Sequence, residues 1–306
     1  METKPLVSVI VVCYNAADCI IETLESVKAQ TYKNIELIVS DDCSKDGTSD
    51  IANKWLKDNN KSFVRTELIT ADYNTGVSAN YNRAVKACNG VWIKNVDGDD
   101  LISENCIQEN IDFVSSNEDA TLVFSNAVIF CEQNGKRIEL GYCITDEKKP
   151  FFELEAKEQY KQLLCDNILP SQTCFVRTDV LKSHPYNELY RALEDAPMWV
   201  TLTKYGNRAY YFDKVTASYR KNESTTNNSE KFFSPLYIVS MMQYFWNEKV
   251  QYIREEQLTE AYANNRRFLF LMELTEVLLN NRRSRFKNWL FRVLRHLIYK
   301  FARFSM

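Results

Sequence analysis

The sequence predicts an α/β protein with a doubly wound, Rossmann-like, mostly parallel sheet, followed by a helical C-terminal extension. The run VSVIVV at residues 7–12 is continuously apolar and β-branched, as in strands buried on both faces of a parallel sheet. Up to about residue 100, apolar strands alternate with helical periodicity, which is typical of right-handed βαβ units. Beyond residue 230 the pattern is helical throughout.

The first hundred residues alternate regularly between the two kinds of element. We predict strands at 7–12, 35–40, 67–70 and 91–96, and helices at 17–30, 47–56 and 77–88. Because ligands of such sheets bind at the carboxyl ends of the strands, the residues that follow each strand are the first candidates for a site.

The pattern loosens after residue 100. We predict helices at 103–116, 153–165 and 195–204, strands at 122–130, 173–177, 209–212 and 215–219, and a polar loop at 131–150. The polar stretch 222–230 is interpreted as a loop or hinge. Beyond it, Ser234 and Pro235 are suited to start one helix, and 255–279 forms a second. These patterns divide the chain into domains at 1–230 and 231–306.

Composition excludes several classes of protein. The 306 residues are 45% hydrophobic and 26% charged, as in ordinary globular proteins. The nine cysteines stand singly without C-x-x-C spacing, which argues against a disulfide framework and a structural zinc site. The short polar start does not resemble a signal peptide, and no run of about 18 apolar residues could span a membrane. We therefore expect a reducing, cytoplasmic environment.

The overall charge of −3 is unevenly distributed. Residues 282–306 contain eight basic side chains and no acid, and without these eight the remaining 30 basic and 41 acidic residues give −11. Apolar residues recur at helical spacing between the cations, which favours binding to the surface of an anionic membrane. The alternative is a helix docked on the acidic body of its own chain or of a partner in a homo-oligomer. Nucleic acid is not expected, because no recognition module accompanies the charge.

The strongest candidate site is Val96-Asp97-Gly98-Asp99-Asp100, at the end of a predicted buried strand. Three carboxylates in four residues repel one another unless a cation or a hydroxyl-rich ligand lies among them, and hard divalent cations that bridge phosphates are held by one or two carboxylates. The alternative is a solvated turn in which Asp100 caps the next helix.

Two further polar segments follow strands. Residues 40–48 read SDDCSKDGT, where one acid could accept hydrogen bonds from a base or ribose and others could cap the next helix. Cys13-Tyr14-Asn15 places an aromatic ring at the end of the first strand, where it could stack on a base.

Taken together and in this order, these motifs resemble family 2 glycosyltransferases of the GT-A fold. The resemblance runs from Pro5 to about Asn228 and is most similar to enzymes that build bacterial surface polysaccharides. It is carried by PLVSVIVVCYN (5–15), ELIVSDDCSKDGT (36–48), NTGVSANYN (74–82), VWIKNVDGDD (91–100), LEDAPMWVTLTKYG (193–206) and YRKNES (219–224).

The resemblance assigns roles to individual residues. Tyr14 and Asp42 correspond to residues that hold the nucleoside, and Asp97 to the acid beside the ribose and pyrophosphate. Asp99 corresponds to the carboxylate that binds the divalent metal ion (Mg or Mn), and Asp195 to the general base.

Glu194 is the alternative general base. A histidine base is not expected, since His184 and His296 lie outside the motifs. The chain departs from the family where Tyr81 precedes Asn82 in place of an arginine, and where Asn222 replaces a histidine. If that histidine contacts the metal, Asn222 would be a weaker ligand.

The resemblance implies an inverting, metal-dependent transfer of a sugar from a nucleotide diphosphate sugar to an acceptor hydroxyl. The acceptor would be a glycan or a polyprenyl-linked sugar at the inner face of the cell membrane. Residues 1–100 would bind the nucleotide sugar, and 101–230 the acceptor. The main alternative is a catalytically silent, nucleotide-sugar-binding scaffold. A dinucleotide-dependent oxidoreductase is disfavoured, because no G-x-G-x-x-G follows the first strand.

Overall fold

The computed structural model describes residues 4–221 and 230–304. The first part of the chain alternates strands and helices as the sequence predicts. Its elements are β1 (Val7–Cys13), α1 (Ile20–Lys28), β2 (Ile35–Asp41), α2 (Thr48–Asn59), β3 (Arg65–Thr70), α3 (Val77–Ala87), β4 (Trp92–Asp97) and β5 (Leu101–Ile102).

The second part completes the sheet. Its elements are α4 (Cys106–Ser116), β6 (Leu122–Gln133), β7 (Lys136–Tyr142), α5 (Ala156–Cys165), β8 (Phe175–Arg177), α6 (Thr178–Ser183), α7 (Asp195–Lys204) and β9 (Ala209–Arg220). Short 3-10 helices lie at Asn60–Ser62, Asp146–Glu153 and Ser171–Thr173.

The described strands form one sheet in the order β3-β2-β1-β4-β8-β6-β9-β5, with β7 paired to β6. Strands β3, β2, β1 and β4 are parallel to one another, whereas β8 runs antiparallel to β4 and to β6. Strands β6 and β9 are again parallel. The predicted fold class, a mostly parallel sheet followed by helices, is confirmed.

Side-chain alternation along the strands divides the core between the two faces of the sheet. Val7, Val9 and Val11 of β1 share a buried cluster with apolar residues of α1, α2 and α4. Ile10 and Val12 belong to a second cluster with residues of α3, α5 and α7. Burial on both faces explains why β1 is an unbroken apolar run.

The prediction of a loop at 131–150 is wrong. Strand β6 continues to Gln133, and β7 returns along it after Asn134 and Gly135, which have φ of 52° and 70°. Asn-Gly is the preferred pair for a two-residue hairpin turn because both residues tolerate positive φ. The two strands predicted at 209–219 are one strand, β9, whose pairing with β6 shifts register around Asn126.

The C-terminal extension consists of α8 (Pro235–Tyr244), a π-helical turn (Phe245–Lys249), α9 (Val250–Glu255), α10 (Thr259–Leu279) and α11 (Arg285–Phe301). Ser234 occupies the N-cap position of α8 and Pro235 its first turn, as predicted. The long helix begins later than predicted, after Gln257 at a φ of 56°. Phe245, Ile253 and Met272 join the same core cluster as α3 and α7, so the extension packs directly on the sheet domain. Within the described ranges, no helix has the length and apolar character needed to cross a membrane.

Candidate active site

The carboxyl ends of β2, β1 and β4 lie side by side, and most of the predicted site residues follow them. The registers pair Cys13 with Asp41 and Val12 with Asp97, so the acids after β2 and β4 flank the end of β1. Tyr14 directly follows the last residue of β1, and its side chain is 44% exposed. The fold therefore brings together segments that lie far apart in the sequence.

Gly98 lets the acidic turn after β4 contact β1. Its amide donates to the Val12 carbonyl at 2.8 Å, and its carbonyl accepts from the Thr23 hydroxyl at 3.0 Å. A Cβ atom at this position would lie 2.7 Å from the Cβ of Cys13. Glycine is required here by this close approach.

Asp97 is held by a pair of buried tyrosines. The Tyr81 hydroxyl donates to Asp97 Oδ1 at 2.7 Å, and the Tyr81 ring stacks on Tyr186 at 5.1 Å between centroids. Asn95 Nδ2 in turn donates to the Tyr186 hydroxyl. Burial raises the pKa of Asp97, while the Tyr81 hydrogen bond and the nearby Lys94 ammonium oppose that rise.

Asp99 and Asp100 are less well compensated. Burial and the neighbouring Asp97 raise the pKa of Asp99 to about 6. Burial, followed by the charges of Asp97 and Asp99, raises the pKa of Asp100. Asp100 Oδ1 accepts from the Arg220 amide at 2.8 Å, but its buried Oδ2 has no partner among the described residues.

The cations around this turn do not neutralise it by direct pairing. Lys94 is fully buried and its Nζ donates to three carbonyls, those of Asn95, Gln172 and Cys174. The Arg220 side chain donates to the Asp99 carbonyl at 2.8 Å. Its terminal nitrogens pair with Glu22 and Glu132.

These residues fit a divalent cation held by few protein ligands. The charge of Asp97 raises the pKa of Asp99, the charges of both raise the pKa of Asp100, and the three carboxylates have few donors. Across residues 4–221 and 230–304, no group of three or more His, Cys, Asp or Glu side chains is placed to hold a metal ion. Such chemistry suits Mg²⁺ or Mn²⁺ bound by one or two carboxylates and completed by phosphate and water oxygens.

A second acidic pair, Glu194 and Asp195, lies at the start of α7. Asp195 accepts from its neighbour Ala196 N at 2.6 Å and from Asn167 Nδ2 at 2.9 Å. Burial raises the pKa of Asp195, and the charge of Asp97 adds to that rise. Burial and the charges of Asp195 and Asp97 raise the pKa of Glu194. The charge of Asp97 therefore links the acidic turn after β4 to the Glu194–Asp195 pair.

The segment that precedes α7 is held by hydrogen bonds from the first turn of α3. The Val77 amide donates to the Arg191 carbonyl at 2.9 Å, and Ser78 Oγ donates to the Tyr190 carbonyl at 2.9 Å. Gly76, at a φ of 98°, has no room for a Cβ, which would lie 2.7 Å from the Arg191 carbonyl oxygen. These contacts fix the chain just before Glu194.

The acids after β2 are fully engaged by the protein. Asp42 is 2% exposed and accepts from the amide and hydroxyl of Thr75, from Gly76 N and from Arg83. Burial acts to raise the pKa of Asp42, but these hydrogen bonds outweigh it and the net shift is downward. Asp41 accepts from the amide and hydroxyl of Ser44.

The structure thus collects Tyr14, Asp42, Asp97 and Asp99 at one edge of the sheet. Glu194 and Asp195 are near enough for the charge of Asp97 to raise their pKa. Asn222, the remaining predicted metal ligand, lies outside the described residues.

Sequence reasoning assigned no role to three residues that shape the site, namely Tyr81, Arg83 and Arg220. Tyr81 was noted only as a departure from the family pattern, and Arg220 only as part of the YRKNES motif. Arg83 directly follows NTGVSANYN, and its proximity to Asp42 comes from tertiary structure.

Comparisons with known proteins agree with this geometry. Residues 8–181 match the family model described as Glycosyl transferase family 2. The chain is 30% identical over 217 residues to a curated Escherichia coli protein, covering 70% of this chain and 77% of that protein. Its name is UDP-Glc:alpha-D-GlcNAc-diphosphoundecaprenol beta-1,3-glucosyltransferase WfaP.

Two solved structures share the fold. S. aureus TarS 1–349, in complex with UDP-GlcNAc, is 19% identical with a TM-score of 0.58, covering 98% of this chain and 93% of that one. The mannosyltransferase PcManGT from Pyrobaculum calidifontis, in complex with GDP-Man and Mn²⁺, is 14% identical with a TM-score of 0.53. That match covers 98% of this chain and 71% of the mannosyltransferase.

Proposed function

The chain belongs to glycosyl transferase family 2 and has the GT-A fold, and from this we propose that it is an inverting, metal-dependent sugar transferase. Its donor is a nucleotide diphosphate sugar, and its acceptor is a hydroxyl of a lipid-linked sugar or growing polysaccharide. The observation that carries the proposal is the group of five acids, Asp97, Asp99, Asp100, Glu194 and Asp195. All have a raised pKa and no direct cation partner among the described residues.

Asp195 is the proposed general base. Its position at the start of α7 and the hydrogen bond from Asn167 hold the carboxylate in place, and the charge of Asp97 acts on it. A raised pKa makes a carboxylate a stronger base near neutral pH. It would take the proton of the acceptor hydroxyl as that oxygen attacks the anomeric carbon from the face away from the leaving group. Attack from that face inverts the configuration.

Asp99, supported by Asp97, is the proposed ligand for the divalent cation. When bound, the cation offsets the negative charge that develops on the departing nucleotide diphosphate. Asn222 is a further proposed ligand. The Mn²⁺ of the Pyrobaculum calidifontis mannosyltransferase supports a divalent metal in this fold.

The nucleoside is proposed to lie against Tyr14 and Asp42. Half-exposed Tyr14 offers a ring face for stacking at the end of β1. Asp42 already accepts hydrogen bonds from Thr75, Gly76 and Arg83. It would therefore shape the base pocket together with these partners. Residues 1–100 would form the donor half and 101–230 the acceptor half.

The name of the E. coli relative, which specifies a diphosphoundecaprenol acceptor, supports a polyprenyl-linked acceptor for this chain. Such an acceptor would place the enzyme at the inner face of the cell membrane, in the synthesis of a surface polysaccharide.

The experiment is a panel of nucleotide diphosphate sugars with and without Mg²⁺ or Mn²⁺. A ligand that binds only the folded state raises its stability, so a true donor should raise the melting temperature when metal is present. The same donor should then be hydrolysed slowly or transferred to a lipid-linked acceptor. Metal-dependent stabilisation with neither reaction would favour the alternative, a silent nucleotide-sugar-binding scaffold. The absence of any stabilising donor would contradict both.

A further inference from the structure

Helix α11 is attached to the rest of the chain along one side only. Phe291 stacks on Phe232 at 4.7 Å between ring centroids and also contacts Phe233 at 6.0 Å. Ile298, two turns further along, is 5% exposed. Beyond the helix end, Arg267 of α10 donates to the Ala302 carbonyl at 3.0 Å. These contacts show that α11 packs on its own chain, which is one part of the docked-helix alternative.

A second side of α11 exposes large apolar side chains to solvent. Phe286 is 66% exposed, Trp289 56% and Leu297 45%. Their spacing places them within about a third of a turn of one another on the helix. The Phe286 and Trp289 rings touch, with centroids 5.9 Å apart. A continuous exposed stripe of this kind marks an interaction surface more often than a chance feature.

The remaining side is basic. Arg292, Arg295, His296, Tyr299 and Lys300 line a shallow groove of about 540 Å³. Among the ion pairs of the described residues, none joins a carboxylate to Arg292, Arg295 or Lys300. The positive charge of this side is therefore available to an external anion.

We infer that α11 is a surface anchor that lies flat on an anionic lipid membrane while its third side stays docked on α10 and the 230–233 segment. Aromatic rings of the exposed stripe would enter the headgroup region, and the basic groove would face lipid phosphates. Because the docked side remains in place, the anchor would fix the orientation of the sheet domain relative to the membrane. The inference goes beyond the proposed sugar transfer and does not depend on it.

Charge decides between a lipid surface and a second copy of the chain. Pairing two α11 helices along their exposed sides would bring together two sets of eight cations from residues 282–306, with no acid between them. Like charges brought together in this way oppose association. An anionic membrane complements the same surface.

The test measures sedimentation of the full-length protein with vesicles of equimolar phosphatidylglycerol and phosphatidylcholine, without donor or acceptor. Pure phosphatidylcholine vesicles are the lipid control. The double variant R292E/R295E should bind the anionic vesicles at least about 25-fold more weakly, since each cation contributes a factor of about five. The matched control K57E/K61E makes the same change of charge on two exposed residues, one in the last turn of α2 and one just after it, and should bind like the wild type.

The apolar stripe is tested by Trp289→Ser, which should weaken binding about tenfold or more as a large side chain leaves the headgroup region. Tyr73→Ser, at a residue 71% exposed on the sheet domain, is its control. Equal binding by R292E/R295E and K57E/K61E would overturn the inference. A dimer that Trp289→Ser abolishes, with no binding to anionic vesicles, would assign the stripe to a second copy instead. Circular dichroism checks that each variant is folded.

Discussion

Two acidic segments follow β2 and β4, the strands on either side of β1, and they differ in how the protein satisfies their carboxylates. After β2, Asp42 receives hydrogen bonds from Thr75, Gly76 and Arg83, and its pKa is lowered. After β4, Asp99 has no comparable set of donors, and its pKa is raised to about 6. Hydrogen bonds from the protein satisfy the first segment, whereas the described residues compensate the charge of the second only in part.

This difference separates carboxylates that the protein itself satisfies from carboxylates that a cation would satisfy. A buried carboxylate with several charge-assisted hydrogen bonds stabilises the fold. One surrounded by other acids destabilises the fold and is retained where a ligand restores the balance. The following substitutions test the contrast, from the largest expected effect to the smallest.

Asp195→Asn should lower turnover by about 10²-fold or more, the usual scale for a lost general base, while donor affinity stays near the wild-type value. The amide can still accept the hydrogen bond from Asn167 but cannot take a proton. Steady-state kinetics together with donor binding in the absence of acceptor measure the two quantities.

Glu194→Gln is the matched control, because it removes the adjacent charge and leaves Asp195 in place. It should retain most of the activity. If Glu194→Gln is the variant that loses turnover and Asp195→Asn is active, the base has been assigned to the wrong member of the pair.

Asp99→Asn should weaken metal-dependent donor binding by about 10–100-fold or more. Losses of metal affinity in this range follow mutation of residues that only hydrogen-bond to a metal ligand, so loss of a ligand itself should cost at least as much. At neutral pH the same change should raise the melting temperature of the ligand-free protein, because it removes one of three neighbouring acidic charges, of which Asp100 is buried and Asp97 and Asp99 are half-buried. Calorimetry of donor binding and a thermal melt report the two effects. Unchanged metal dependence would reject Asp99 as the ligand.

Asp42→Asn should do the reverse and destabilise the ligand-free protein by roughly 1–3 kcal/mol, since charge-assisted bonds from Thr75, Gly76 and Arg83 are lost. The folded-state pKa of Asp42 lies below the unfolded value of about 3.9, so the stabilisation exists above that pH and is lost as the pH falls. Urea unfolding at neutral and acid pH should therefore show a difference that shrinks below about pH 4. An equally stable variant at neutral pH would contradict the contrast.

Tyr81→Phe should have the smallest effect, about 1.5 kcal/mol or tenfold in donor KM, because a single hydrogen bond to the Asp97 carboxylate is removed. The ring and its stacking on Tyr186 are kept. Turnover should change little, since Tyr81 positions an acid and does not contact the acceptor. A loss in turnover without a change in KM would give Tyr81 a different role.

The sequence was sufficient to predict that the acids after β2 and β4 lie together, because parallel strands end at one edge of a sheet. It could not show that the protein satisfies the carboxylate of Asp42 but not that of Asp99, since both are aspartates in acidic runs after buried strands. The distinction comes from hydrogen-bond donors contributed by Thr75 and Arg83, which are remote in the chain. The β6–β7 hairpin could have been predicted from Asn134-Gly135, but the polar composition of 131–150 favoured a loop.

The core under the sheet has a consequence for how the chain acquires its structure. Ile10 and Phe124 of the sheet belong to the same buried cluster as Phe245 and Met272 of the extension. Contacts between residues so distant in sequence slow folding, because a long loop must close before they form. During synthesis this cluster, which α3, α5 and α7 cover in part, would stay incomplete until α8, α9 and α10 leave the ribosome. In that interval the nascent chain is a candidate for chaperone binding.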